Sequence, residues 1–232
     1  MRKQIFILSL LLLFGVSLYA QPKTIGEPRV IAKMDAPLSE PVWSPDGAKL
    51  LFSSNEELWE VSATGTGLRK ADDTQLRATI CANPLLLQMT DNPVGVASQV
   101  KALESLSEYM VFNPVLSPKG DKIVFQVSRG KGMYICDADC QADASTLRSL
   151  GTKAQRATWT PDGKYIVVMF TEDDGHFITK GELVGIDVAT GAQTVLLSSD
   201  KYIAFNPAIS PDGKKLAFEN FAEGVIYVMD IQ

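Results

Sequence analysis

Residues 206–218 read NPAISPDGKKLAF, and the same pattern occurs three more times earlier in the chain. Each copy has a short apolar segment, the motif [ST]-P-x-G, and a second apolar segment that contains Phe. The other copies are PVWSPDGAKLLFSS (41–54), NPVLSPKGDKIVF (113–125) and RATWTPDGKYIVVMF (156–170). Repeats with a period of about 20 to 50 residues indicate an architecture built from similar structural units.

The motif [ST]-P-x-G predicts a tight turn between two strands. Proline presets φ for the first central turn position, and glycine accepts a positive φ. The flanking apolar segments are typical of strands. The three aspartates of the motif are expected to bond their own turn backbone, so we assign them no catalytic or metal-binding role. The predicted structural turn residues are Pro45, Asp46, Gly47, Pro118, Gly120, Pro161, Asp162, Gly163, Pro211, Asp212 and Gly213.

The spacing of the copies predicts four-stranded propeller blades. The segment 77–90 is similar to the copy that begins at residue 156, with a shortened turn, and we interpret it as a degenerate fifth copy. Units then begin near residues 41, 77, 113, 156 and 206, at intervals that match a propeller blade. The predicted fold is therefore all-β, a single β-propeller of five blades with four antiparallel strands each. The alternative is four blades with an irregular insertion at 70–108.

The two ends of the chain are predicted to close the ring. The last unit ends at Gln232, directly after its third strand, and so lacks an outer strand. Near the other end, residues 28–34 (PRVIAKM) read as a strand without a hairpin partner. Pairing these two segments removes an open sheet edge, which would otherwise favour aggregation.

The first 20 residues are typical of a secretory signal peptide. Arg2 and Lys3 precede an uncharged apolar run of 16 residues that ends at Ala20. This run is short for a bilayer-spanning helix, which needs about 20 apolar residues. We therefore expect a signal peptide at 1–20, a propeller domain at 21–232, and export to the periplasm or cell envelope. Membrane association is expected only if the signal segment is retained.

Composition and charge exclude several classes of function. The chain has 22 Lys+Arg against 27 Asp+Glu, a net charge of −5, and 46% hydrophobic residues, which is globular rather than disordered usage. The acidic balance argues against a nucleic-acid partner, which would need clustered basic residues. His176 is the single histidine, which excludes multi-histidine metal centres. We predict a monomer with no cofactor, no metal ion and no catalytic residue.

The chain has three cysteines, and export to an oxidising compartment would allow disulfides between them to persist. Cys136 and Cys140 are four positions apart after a predicted third strand, and the spacing is compatible either with a disulfide or with two free thiols. Cys81 lies at a predicted inner-strand position and is expected to be buried. The acidic pattern at 137–143 lacks the central Gly and closing Glu of a calcium loop, so a solvated turn is expected there.

The four [ST]-P-[DK]-G hairpins resemble the repeats of TolB-type periplasmic β-propellers, and the resemblance covers roughly residues 28–232. Related repeats occur in the propeller domains of prolyl oligopeptidase-like enzymes. The chain lacks the Gly-x-Ser-x-Gly nucleophile elbow of those hydrolases, and it leaves no room for the amino-terminal domain and six blades of TolB. The resemblance implies a propeller in the cell envelope that holds a partner, without implying which partner.

One rim of the ring is predicted to carry the binding site. Residues 172–181 form the longest connection between a second and a third strand, and loops on a rigid scaffold often carry recognition. The alternative is an ordinary polar surface loop, with nearby aromatic residues buried between blades. The candidate ligand-rim residues are Asp173, Asp174, His176, Tyr202 and Phe205.

Together these features predict a non-enzymatic exported propeller that binds an envelope protein or a peptidoglycan-associated partner through loops on one rim. A hydrolase or lyase acting on glycans in the central funnel is an alternative, and it requires two carboxylates that converge on the funnel. The repeat shows no carboxylate in register at an inner-strand position, which disfavours this alternative. A structural module of an envelope assembly is a third hypothesis.

Overall fold

The computed structural model describes residues 21–72, 111–138 and 147–232, and this part of the chain is built from β-strands. The strands form four antiparallel sheets of four strands each, which are the blades of a β-propeller. Within the described ranges there is no helix with the length and apolar character needed to cross a bilayer. The predicted signal peptide lies outside these ranges and stays a prediction.

The blades follow one another along the chain, and the strands of each blade run in order from the centre of the ring to its outside. Blade 1 consists of β2 (Ser39–Trp43), β3 (Lys49–Ser54), β4 (Glu57–Ser62) and β5 (Arg69–Lys70). Blade 2 consists of β6 (Val111–Leu116), β7 (Lys122–Val127), β8 (Gly132–Asp137) and β9 (Arg148–Gly151). Blade 3 consists of β10 (Ala154–Trp159), β11 (Tyr165–Asp173), β12 (Ile178–Asp187) and β13 (Gln193–Leu197). Blade 4 consists of β14 (Ala204–Ile209), β15 (Lys215–Asn220), β16 (Val225–Ile231) and β1 (Thr24–Ala32).

The number of blades was predicted as five, with four as the alternative. Residues 21–72, 111–138 and 147–232 form four blades, which matches the alternative. Each of the four sheets contains one complete [ST]-P-x-G turn between its first two strands. The segment 77–90 lacks this turn, and it lies outside the described residues. Every blade of the described ranges therefore carries the complete turn motif.

Closure by the amino-terminal strand is confirmed. β1 pairs antiparallel with β16, and the register aligns Arg29 with Val228 and Thr24 with Ile231. Beyond the strand ends, Lys23 and Gln232 exchange two backbone hydrogen bonds of 2.9 and 3.0 Å. The outer edge of β16 is therefore paired by the opposite end of the chain, as the missing fourth strand of the last unit predicted.

The hydrophobic core lies between neighbouring blades. One cluster joins blades 4 and 1, a second joins blades 2 and 3, and a third joins blades 3 and 4. Trp43 and Trp159, which share one position of the repeat, are buried and donate from Nε1 to the carbonyl oxygens of Ala208 and Val115 in the preceding blade. Each tryptophan thus combines apolar burial with a satisfied N–H, a common arrangement for a buried indole.

Three of the four predicted turns share one hydrogen-bond pattern. Ser44 Oγ donates to Asp46 Oδ1 at 2.6 Å, and the Ala48 backbone N–H donates to the same oxygen at 3.0 Å. Thr160 with Asp162, and Ser210 with Asp212, repeat this arrangement. The hydrogen bonds from Ser44 and Ser210 lower the pKa of Asp46 and Asp212. These carboxylates therefore stabilise the turns. The turns lie at one end of the propeller, which we call the turn face.

Candidate functional site

The opposite end of the propeller, which we call the loop face, carries the connections between the second and third strands of each blade. These connections are residues 55–56, 128–131, 174–177 and 221–224. The inner strands begin at this face, so their first residues lie next to the connections. In a propeller the inner strands surround the central channel, and the loop face therefore contains one mouth of that channel.

A β-bulge interrupts all four inner strands close to the loop face. The register of each inner strand shifts at the same point, where one non-glycine residue has a φ between 47° and 54°. This residue always lies five positions before the turn proline. The four residues, which we call the bulge ring, are Glu40, Asn113, Arg156 and Asn206. Asn tolerates this left-handed conformation, whereas Glu and Arg adopt it rarely, and bulges often redirect side chains at functional sites.

The bulge ring brings charged groups of three blades together. Arg156 of blade 3 reaches Glu40 of blade 1, with 3.5 Å between Nη2 and Oε1. Between them lies Glu219 on the second strand of blade 4, which is only 7% exposed. Its Oε2 accepts a hydrogen bond from Asn206 Nδ2 at 2.8 Å and a longer one from the Glu40 backbone N–H at 3.4 Å. We call these four residues the mouth cluster.

The mouth cluster brings two carboxylates together, although no carboxylate recurs at one inner-strand position of the repeat. Glu40 occupies the bulge position of its inner strand, and Glu219 lies on the adjacent strand. Burial raises the pKa of the Glu219 carboxyl, and the hydrogen bond from Asn206 and the charge of Arg156 offset only part of that effect. The bulge-ring residues share one position of the repeat, five residues before each turn proline, and this is visible in the sequence. Their placement at the channel mouth depends on a β-bulge, which the strand pattern did not predict.

The predicted rim residues of the β11–β12 hairpin lie exposed at the loop face. Strands extend through Asp173 and from Ile178, so only residues 174–177 form the connection. Asp174 Oδ1 accepts the backbone N–H groups of His176 and Phe177 at 2.9 and 2.8 Å, and Asp173 Oδ1 accepts that of Gly175 at 2.9 Å. Both carboxylates therefore order the turn, and the structure leaves their predicted ligand role untested.

The aromatic residues of the loop face divide into a packed and an exposed group. Tyr202 packs edge-to-face against Phe218 and Tyr227, with ring centroids 5.9 and 5.1 Å apart, and so supports the core of blade 4. Phe205 is half-buried and stacks on Phe221 at 4.8 Å. Phe221 itself is 50% exposed, and Phe177 on the neighbouring blade is 74% exposed. Neither Phe177 nor Phe221 is among the predicted rim residues, although Phe177 lies within the predicted 172–181 connection.

Cys136 is buried in blade 2, and burial raises the pKa of its thiol to about 11, with a further increase from the charge of Asp137. Cys140 and Cys81 lie outside the described residues, so the disulfide and the burial of Cys81 stay predictions. Asp137 pairs with Lys122 at 2.7 Å. Among residues 21–72, 111–138 and 147–232, no group of three His, Cys, Asp or Glu side chains is placed to hold a metal ion.

Comparison with curated proteins finds one relative that covers most of this chain. The Bacillus subtilis (strain 168) protein named "Uncharacterized peptidase YuxL" is 28% identical over 183 residues, which is 78% of this chain and 21% of that protein. This chain therefore spans about a fifth of the length of that relative. No family model matches the chain.

Solved structures similar to this chain include TolB proteins and other β-propellers. The TolB structure from Agrobacterium tumefaciens has 20% identity and a TM-score of 0.39, covering 86% of this chain and 60% of that one. TolB from Acinetobacter baumannii has 16% identity and a TM-score of 0.40, covering 88% and 57%. An oligogalacturonate lyase from Vibrio parahaemolyticus has 15% identity and a TM-score of 0.38, covering 87% and 51%. The class of this protein, a β-propeller, is defined by its own four sheets.

The buried Glu219 makes stability depend on pH. Because its folded-state pKa is raised, stability is highest below the unfolded-state value of about 4.3 and falls as the pH rises through the folded-state value. A Glu219→Gln variant removes this titration. We expect it to match the wild type in acid and to exceed it by about 1 kcal/mol at neutral pH, the usual scale for an unsatisfied buried polar group.

Urea unfolding at several pH values measures this difference. Glu57→Gln is the matched control, because Glu57 is exposed at the start of β4 and pairs with Lys70 at 2.7 Å. Its pH profile should follow that of the wild type. A Glu219→Gln protein that is less stable than the wild type at neutral pH would contradict the prediction.

Proposed function

We propose that this chain is an exported, non-enzymatic β-propeller that binds a protein partner of the cell envelope through its loop face. The observation that carries the proposal is the exposure of Phe177 and Phe221 on adjacent blades of that face, together with the stacking of Phe221 on Phe205. Monomeric proteins seldom expose several large aromatic side chains on one surface without a binding role. Aromatic anchors of this kind supply most of the energy in protein interfaces.

The scaffold supports this role because both anchors stand on rigid elements. Phe177 lies at the tip of the extended β11–β12 hairpin, whose turn is held by Asp174. Phe221 follows β15 directly, and its backbone N–H donates to Ile203 O at 2.9 Å. Anchors that are ordered before binding lose little conformational entropy when a partner docks.

Export is the part of the proposal that depends on the amino terminus. Backbone pairing with the last blade begins at Lys23, shortly after the predicted signal peptide. This position supports a mature chain that starts near Gln21, because the closing strand remains intact after cleavage. A peptidoglycan-associated protein of the envelope is the kind of partner that we propose.

Replacing both anchors, as Phe177→Ser with Phe221→Ser, should reduce the partner recovered from envelope extract at least tenfold. Two buried interface aromatics commonly contribute about 2 kcal/mol each. Point variants are preferable to deletion of residues 171–181, because Thr171 and Glu172 pair with Gly181 and Lys180 within the blade. Quantitative pull-down with the purified mature protein gives the measurement.

Val195→Ser is the matched control for this experiment. Val195 is 59% exposed, but it lies on the outer strand of blade 3 rather than in a loop-face connection. This variant should recover as much partner as the wild type. Equal recovery by the wild type and the double Phe variant would place the binding site elsewhere.

A glycan-directed hydrolase or lyase is the second candidate function, favoured by one observation. Burial raises the pKa of the Glu219 carboxyl and the charge of Glu40 raises it further, so the two carboxylates are near each other, and glycoside hydrolases use a pair of carboxylates. Release of reducing or unsaturated sugar ends by the wild type, and its loss in Glu219→Gln, would support this candidate over the binding role.

A further inference from the structure

The mouth cluster has two carboxylates and only one cation. Arg156 pairs with Glu40 at the long distance of 3.5 Å, and no ion pair reaches Glu219 from the residues that the structure describes. Glu40 and Arg156 are both partly exposed, whereas Glu219 is nine-tenths buried. Arg156 is near enough to act on Glu219 by its charge but not in ion-pair contact with it, and a buried carboxylate without such contact is costly for a folded protein.

The hydrogen bonds of Glu219 leave one side of its carboxyl group open. Both contacts, from Asn206 Nδ2 and from the Glu40 backbone N–H, go to Oε2. Oε1 accepts no hydrogen bond from the described part of the chain. A carboxylate has about four acceptor positions, so Glu219 retains capacity for at least one strong donor. The open oxygen belongs to a side chain that is held in place by Asn206 and by burial.

The neighbouring bulge-ring position adds further polar groups to the channel mouth. In blade 2, Asn113 Nδ2 donates to Gln126 Oε1 at 2.6 Å. Gln126 occupies the same register position as Glu219, opposite the residue before the bulge. The amide oxygen of Asn113 therefore remains an acceptor at a position equivalent to Asn206. This oxygen can accept an N–H group of a ligand.

We propose that the channel mouth binds an organic cation, a primary ammonium or guanidinium group, which donates to Glu219 Oε1 and lies beside Glu40. This inference rests on the proposed function, since the cation would be a lysine or arginine side chain of the partner held at the loop face. Such a group supplies the positive charge that the two carboxylates lack. Charge-assisted hydrogen bonds of this type are about twice as strong as neutral ones.

Arg156 competes with the ligand for the carboxylate of Glu40, and this gives a further test. Its guanidinium already neutralises part of the charge of Glu40. Removing it as Arg156→Gln leaves both carboxylates to the ligand, and the affinity for the cation should rise about threefold. If the mouth cluster only stabilised the fold, the Arg156→Gln variant would not bind the cation more tightly than the wild type.

Isothermal titration of the full mature chain with N-acetyl-lysine methylamide and N-acetyl-arginine methylamide tests the site. At low salt we expect saturable binding of at least one of them, no binding of uncharged N-acetyl-norleucine methylamide, and at least tenfold weaker binding to Glu219→Gln. Glu57→Gln should bind as the wild type does. Absence of saturable binding to the wild type, or unchanged binding to Glu219→Gln, would overturn the proposal. Thermal unfolding of each variant establishes that it is folded.

Two further measurements are needed. The first distinguishes a peptide side chain from a free amine as the source of the cation, and the second distinguishes failure of the cation site from failure of the proposed function. Putrescine serves as a free amine, and weaker binding of putrescine than of the amino-acid amides would support a peptide side chain. Binding of putrescine alone would overturn the peptide assignment. Partner recovery by the Phe177→Ser, Phe221→Ser protein is measured separately. If that recovery is unchanged while the cation titration succeeds, the proposed aromatic anchors fail and the cation site stands.

Discussion

A Gly132→Ala variant is expected to lose about 4 kcal/mol of unfolding free energy, a large share of the stability of a domain of this size. Gly132 begins β8 with a φ of +80°. A Cβ on this residue would overlap Gly151 O and Thr152 Cα, and it would lie 2.8 Å from the Gly151 carbonyl carbon. Because all three obstructing atoms belong to the backbone, no side-chain rotation can relieve the clash.

Gly130→Ala is the matched control for this variant. Gly130 has a φ of +69° in the connection that precedes Gly132, and the described residues leave the space around its Cβ position empty to 4 Å. Both alanines must adopt a left-handed conformation, which costs about 1 kcal/mol. Urea unfolding should therefore show a difference of about 3 kcal/mol between the two variants. Equal losses would mean that β8 and β9 do not approach each other as closely as they do in the structure.

Removal of β1 should abolish cooperative folding. A chain that starts at Met34 leaves the outer edge of β16 unpaired and uncovers the core between blades 4 and 1, which Ile31 and Ala32 close. The lost burial and pairing amount to about 5 kcal/mol or more, comparable with the whole stability of many domains. Circular dichroism and size-exclusion chromatography should show an expanded or aggregated protein without a sharp thermal transition.

A synthetic peptide of residues 21–34 should restore the transition when it is added to the shortened chain. The same peptide with Ile31→Asp should not, because the buried position would then receive a charge. A shortened chain that unfolds at the wild-type temperature without the peptide would show that the ring does not need this closure.

The hairpins and strands could be predicted from the sequence because their signals are local. The closing strand could be predicted because the two ends of the chain complement each other. Ser44, Pro45, Asp46 and Gly47 interact with one another within a few positions, so the turn is encoded where it forms. The last unit has no apolar segment for an outer strand, and an apolar segment near the amino terminus has no hairpin partner. Pairing them needed only the rule that open edges are avoided.

The sequence left five and four blades as alternatives, because apolar intervals are a weaker signal than turn chemistry, and the described residues form four. The segment 77–90 has strand-like composition but no Gly at the turn position, and counting it as a blade gave five. Each blade in the structure has a complete turn. A glycine at that position matters because the turn requires a positive φ, such as the 69° of Gly47.

The sequence by itself determined the repeated hairpin, the all-β propeller class, the two faces of the ring and its closure by the chain ends. Only the tertiary structure decided that Glu40, Arg156 and Glu219 meet, since Glu40 and Glu219 are 179 positions apart and lie on different blades. Bulges in the inner strands place Glu40 and Arg156 at the channel mouth, beside Glu219 of a second strand, and strand periodicity cannot predict a bulge. Local interactions shape each blade, whereas the chemistry of the mouth arises from the circular arrangement that brings separate blades together.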